Sequence, residues 1–154
     1  MAEEQQAPQM AFHVEKIYVK DLSLEVPNAP AIFLEREMPQ VSVELGTQSN
    51  AVGEDAYESL IKVTVTASLG EKTMYLVECE QAGIFRIVGL SQDQLALALG
   101  IGCPNILFPY AREAVASTIM RAGFPPLQLD PVNFEAEFML RQQQAAAEAQ
   151  GGTH

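Results

Sequence analysis

The sequence predicts an α+β domain in which an antiparallel sheet is followed by helices. Three observations carry that prediction. Between Phe12 and Val88, apolar residues recur at every second position in several runs, the period of a half-buried strand. Gly70-Glu71 is a link of hairpin length between two of those runs. After Gly89 the period changes to a helical one and does not change back. Strands in one block and helices in the next indicate segregated layers rather than alternating βαβ units.

Taken in order, residues 1–10 are polar and aperiodic, and are expected to be a disordered N-terminus. Phe12 and Val14 begin a strand whose phase blurs near Lys16 and Ile17, before Leu22, Leu24 and Val26 alternate again. A phase change inside one strand predicts a bulge or strong twist. Asp21, Ser23 and Glu25 then point away from Leu22, Leu24 and Val26. Pro27, Pro30 and Pro39 bracket an irregular connection that holds Ile32, Phe33 and Leu34. Val41, Val43 and Leu45 mark a second strand, and residues 46–55 read as turn-rich. Tyr57, Ser59, Ile61, Val63, Val65 and Ala67 make one face of a third strand, with Leu60 the apolar exception on the other. The fourth strand starts near Thr73, with Tyr75, Val77 and Cys79 on one face and Met74, Leu76, Glu78 and Glu80 on the other. Gly83 is expected to bend or end its pairing.

The helical half opens at Ser91, a plausible N-cap for a short helix that Gly100 can end. The stretch Cys103-Pro104-Asn105-Ile106-Leu107-Phe108-Pro109-Tyr110 reads as a rigid turn between two prolines. It launches a helix over 107–122, with Pro109 in the first turn where its missing N–H costs nothing. Leu107, Tyr110, Ala111, Ala114, Val115, Thr118 and Ile119 form the packing face. Gly123 is a natural C-cap, residues 124–129 a stiff crossing loop, and Asn133 a cap for a last helix carrying Phe134, Phe138, Met139 and Leu140. Few anchors follow, so residues 144–154 are expected to be a flexible tail and 11–143 the domain.

Composition narrows the function. The chain has 154 residues and a formal net charge of −11, from 20 acidic and 9 basic residues. Such a chain repels phosphate backbones and favours a basic protein partner over nucleic acid. No run of 18 apolar residues occurs, which predicts no membrane span. Met1 to Gln9 lacks the basic start and apolar core of a secretory signal. A cytoplasmic location is therefore expected, with Cys79 and Cys103 as reduced thiols. The two cysteines have no zinc-ligand spacing, the histidines are His13 and His154 alone, and there is no Walker loop, HExxH or GxGxxG. No catalytic residue, cofactor or metal site is expected, and the chain does not read as an enzyme.

Two surfaces remain as candidates. Phe33, Ile106, Phe108, Tyr110, Phe124, Leu127 and Phe138 gather around loops and helix entries, and Tyr75 joins them. Core burial explains any one of these, whereas together they could frame an apolar groove for extended or unfolded chains. Asp21 and Glu25 on one strand, with Leu76, Glu78 and Glu80 on another, would make an acidic surface around an apolar spot if the two strands share an outer face.

The string from Cys103 to Glu113 resembles the SecB protein-export chaperone family. So do Pro27-Asn28-Ala29-Pro30, the run Val63 to Gly70, Gly83-Ile84-Phe85 and Asp130-Pro131-Val132-Asn133-Phe134. Five such motifs in family order, across residues 11 to 140, make the likeness specific. It implies a four-stranded sheet and a tetramer built as a dimer of dimers. It also implies ATP-independent holding of unfolded secretory precursors and their delivery to SecA, the export ATPase. Asp21, Glu25, Leu76 and Glu78 match the family positions for docking SecA's basic, zinc-bearing tail, and that zinc belongs to the partner. SecB chains often carry a tryptophan after the first strand, where this chain reads Phe33-Leu34-Glu35-Arg36-Glu37. The alternatives are a SecB-like chaperone dedicated to one client such as an antitoxin, and a small-ligand-binding α+β oligomer using the neighbourhood of Tyr110.

Overall fold

The structure is a computed structural model that describes residues 9–151; most of the expected disordered N-terminus and the last three residues of the expected tail lie outside the described residues. Four strands, β1 (Ala11–Glu25), β2 (Gln40–Gly53), β3 (Ala56–Leu69) and β4 (Lys72–Val88), form one antiparallel sheet in the order β1-β4-β3-β2. A helical layer follows: α1 (Gln92–Leu97), a π-helix (Ala98–Gly102), α2 (Cys103–Arg121) and α3 (Phe134–Gly151). The α+β reading with a four-stranded antiparallel sheet is therefore correct.

The face predicted for β3 is the core. Ile61, Val63, Val65 and Ala67 are buried together with Val77, Cys79 and Phe85 of β4. Alpha-2 covers that face with Cys103, Leu107, Ala111, Val115 and Ile119. Burying each large aliphatic or aromatic side chain contributes roughly 1.5–3 kcal/mol, so this seam between α2 and the two central strands dominates stability. The run Gln92–Arg121 is long and apolar enough to span a membrane by length and composition alone, which the absence of an apolar 18-mer did not anticipate. Within it, α2 lays its apolar face on the sheet, while α1 and the π-helix hold no buried residue.

Several boundaries differ from expectation for identifiable reasons. Strand β1 carries two irregularities, between Val14 and Lys16 and between Val19 and Asp21, rather than one blurred region. Residues 46–53 are strand and not turn: β2 pairs with β3 all the way from Gln40↔Ser68 to Gly53↔Ala56, leaving only Glu54 and Asp55 to reverse the chain. Gly83 neither bends nor ends β4, since it stays paired to Ile17 and Ser59. A Cβ there would sit 3.0 Å from the Lys16 carbonyl oxygen and 3.1 Å from Leu107, so glycine marks the place where α2 presses closest to the sheet.

The capping residues behave as predicted. Ser91 forms a capping box with Gln94, Gly70 and Gly123 take positive φ, and Asn133 accepts a hydrogen bond from the Ala136 amide. Gly100, however, does not end the first helix. The chain passes through the π-helix straight into α2, which begins at Cys103. The expected rigid turn is thus helical. Pro104 occupies the tolerant first turn, while Pro109 sits inside the helix on its exposed side. There the carbonyl that loses its partner can bond to water. Alpha-3 runs to Gly151, past residue 144 where a tail was expected, because alanine and glutamine are good helix formers even without packing.

On the outer face, Tyr18 donates a hydrogen bond to Glu58, and Lys20 pairs with the same carboxylate at 2.9 Å. This brace reaches from β1 to β3 over Ala82 of β4, beside the buried exception Leu60. The hydrogen bond from Tyr18, then that from Lys20, holds the Glu58 carboxyl below its ordinary 4.5, and burial with the same hydrogen bond pushes Tyr18 up to about 12. A depressed carboxylate stabilises the fold above 4.5 and loses that contribution as pH falls through its folded value. Glu58→Gln is expected to cost about 1–2 kcal/mol at neutral pH. It should also flatten the acid limb of a urea-melt series below pH 4.5. An unchanged limb would show that the brace is not coupled to folding.

Candidate functional site

The connection after β1 and the loop after α2 meet at one end of the sheet. Asn28 donates from Nδ2 to the Thr73 carbonyl at 2.9 Å, and a 3-10 turn over Ala31–Leu34 buries Ile32. With its neighbour anchored, Phe33 stands half out of the surface and stacks on Phe124, ring centroids 5.1 Å apart at 22°. Tyr75 of β4 also packs against Phe124, tilted at 41° with centroids 5.1 Å apart. Such pairs are worth about 0.5–1.5 kcal/mol beyond their buried area. The rings are therefore fixed before any ligand arrives.

These three rings and Leu127 line an open groove of about 540 Å³, with Glu35 and Glu37 at its rim. A second groove of about 360 Å³, lined by Val43, Leu45, Phe108 and Val132, shares Leu127 with the first. Leu127 stands between the two, so they lie side by side on the surface, an arrangement that suits an extended peptide. Pro125 and Pro126 stiffen its wall and Gly123, at positive φ beneath the Phe33 ring, lets the wall approach.

Of the eight residues expected at a groove, Phe33, Tyr75, Phe124 and Leu127 converge in the larger part, and Phe108 joins through the smaller. Phe108 is mostly buried, flanked by Phe134 at 5.9 Å and by the Arg112 guanidinium. The other three are placed elsewhere. Ile106 packs against the core, Tyr110 stands 51 % exposed on α2, and Phe138 lies over Gly100 beside the π-helix. Helical continuity from Gln92 separates Ile106 and Tyr110 from the groove, because residues read as a turn actually point around a helix, and Phe138 belongs to the separate α3. Two further lining residues, Met38 and Met74, were not anticipated. The alternation that put Met74 on the outer face of β4 fails there, since register shifts between Ala67 and Ser68 opposite it.

The acidic residues do share a face. Asp21 pairs with Glu80, Ser23 with Glu78 and Glu25 with Leu76 across β1 and β4. Their neighbours Val77 and Cys79 are buried on the opposite side, so Asp21, Glu25, Leu76, Glu78 and Glu80 all point away from α2. Beyond β4 the row continues through Thr64 to Glu44. Directly opposed side chains lie about 5 Å apart, so the half-buried Leu76 has Glu25 across from it on one side, Thr66 on the other and Glu78 two residues along the same face.

The thiols are not poised for chemistry. Burial pushes Cys79 up to about 11 and Cys103 to about 12, so both stay protonated and weakly nucleophilic at neutral pH. His13 is paired in register with Arg86 near the start of β1, whereas Cys79 lies opposite Leu22 near the end of that strand.

Residues 3–145 match the family model described as preprotein translocase subunit SecB. A protein-export protein SecB of Thiobacillus denitrificans is 63% identical over 146 residues, covering 95% of each chain. That of Dechloromonas aromatica is 57% identical over 147 residues, covering 95% of this chain and 97% of its own. A SecB-like chaperone of Mycobacterium tuberculosis, solved with a peptide from an antitoxin, superposes with a TM-score of 0.65 at 19% identity. It covers 79% of this chain and 90% of that one, which is a likeness of fold. With its sheet, helical cover and sequence agreeing over nearly its whole length, the chain belongs to the SecB family of protein-export chaperones.

Proposed function

We propose that this protein is a cytoplasmic, ATP-independent holdase that keeps secretory precursors unfolded and passes them to SecA. The observation that carries the reading is the open apolar groove with its preformed cluster of Phe33, Phe124 and Tyr75. Rings held in place lose little entropy on binding, and an apolar lining accepts many sequences. The domain is residues 11–143, and it acts as a tetramer, a dimer of dimers. In support, Phe12, Val14, Leu22 and Leu24 of edge strand β1 are left exposed on the core side of the sheet, where a second copy would cover them. Several grooves per assembly then multiply weak contacts into avidity.

The acidic outer face is the SecA surface, through Asp21, Glu25, Leu76 and Glu78. Opposite charge speeds encounter and makes binding salt-sensitive. Glu78→Lys is expected to weaken SecA binding about tenfold or more at low salt, with no change in thermal melting or client affinity. Equal affinity for wild type and variant would remove Glu78 from that surface. The solved neighbour binds an antitoxin peptide, and that motivates a second reading, a chaperone dedicated to one client. The outer-face carboxylates favour the export reading.

The test is titration with an unfolded, slow-folding secretory precursor in the absence of nucleotide, followed by light scattering and then addition of SecA. The mass of four chains plus client, and a further gain with SecA, supports the export holdase. Client capture without SecA binding supports the dedicated relative, and no capture at all excludes both.

A further inference from the structure

Two methionines line the same groove in opposite states. Met74 is at its floor, 7 % exposed, whereas Met38 is at its rim, 90 % exposed and the most open of the large apolar side chains. Met38 lies outside the 3-10 turn and precedes Pro39, which restricts it to extended backbone and keeps its side chain at the mouth. Among the described residues, the other exposed methionines, Met10, Met120 and Met139, are not among the groove residues.

We propose that Met38 is an oxidative modification site through which peroxide weakens client binding. This rests on the groove being the client site. The chemistry is a two-electron oxygen transfer from hydrogen peroxide. The Met38 sulfur attacks one peroxide oxygen, the O–O bond breaks, and the displaced hydroxide takes a proton to leave as water. Sulfur is oxidised to the sulfoxide and peroxide is reduced. Hydrogen peroxide is neutral, so Glu35 and Glu37 at the same rim do not repel it. The product replaces a flexible apolar thioether by a strongly polar group beside Phe33 and Leu127. A client segment must then desolvate that group to enter. Met74, shielded on the floor, reacts later.

The experiment is graded hydrogen peroxide treatment of the full chain, with peptide mass mapping and the affinity for a fluorescent, unfolded peptide rich in aromatic residues. Met38 should gain oxygen before Met74, and affinity should fall about three- to tenfold in step with it. Met38→Leu, whatever its starting affinity, should keep that affinity after peroxide, while Met38→Gln should bind more weakly than Met38→Leu without any treatment. Equal peroxide sensitivity in Met38→Leu, or full affinity when Met38 is oxidised, overturns the proposal while leaving the groove intact. Failure of the untreated protein to bind the peptide overturns the groove reading and this inference with it.

Discussion

Truncating Phe124 to alanine is expected to weaken capture of an unfolded client about thirtyfold, the effect of losing a central aromatic hot spot. Phe124 is the shared member of both ring pairs, 5.1 Å from Phe33 and 5.1 Å from Tyr75. Its removal both deletes contact area and frees the other two rings to rotate. The residue is only half-buried and follows the Gly123 cap, so the fold should survive with a loss of about 1–2 kcal/mol. Client titration beside a thermal melt separates the two effects. Leu at the same position should restore part of the affinity. An alanine variant that binds clients normally would mean that the ring stack is a structural fastening only.

Gly83→Val is expected to destabilise the domain by about 3 kcal/mol or more, the upper range for overpacking a core. An added Cβ already meets the Lys16 carbonyl, the Phe85 ring and Leu107 at 3.0–3.1 Å. The first of these is backbone of the neighbouring strand and cannot swing aside, and valine adds two more methyl groups. Relief requires α2 to lift from the sheet or β1 to part from β4. Urea unfolding measures the loss directly, and Gly83→Ala should show a smaller one. A valine variant of wild-type stability would show that α2 has room above β4.

The strands were legible because each central strand is buried on one face and its side chains alternate. Tyr57 to Ala67 could be assigned to one face from spacing alone, whereas placing Asp21, Glu25 and Glu78 on a common outer face needed the pairing of β1 with β4. What failed is where local chemistry and tertiary pairing disagree. The polar, glycine-bearing run after Leu45 looks like a turn, yet backbone pairing to β3 makes it strand without needing an apolar face. Gly100 and the Cys103–Pro109 prolines look like breaks, yet a π-helix absorbs the first and an exposed helix face tolerates the last. Of the groove candidates, Phe33, Tyr75, Phe124 and Leu127 line the larger groove and Phe108 the smaller. Ile106 and Tyr110 do not, because a continuous helix distributes them around its axis, and Phe138 does not, because α3 lays it over Gly100. Met38 carried no periodic signal at all, being a single side chain in an irregular loop.

Amide hydrogen exchange of the protein with and without an unfolded precursor tests the groove most directly. Exposed loops exchange freely when empty and slow when covered. Binding should protect the segments 31–39 and 123–129, which carry Phe33 and Phe124, and leave the outer rows 21–25 and 76–80 unchanged until SecA is added. Client protection confined to the outer face, with both loops unaffected, would contradict the assignment.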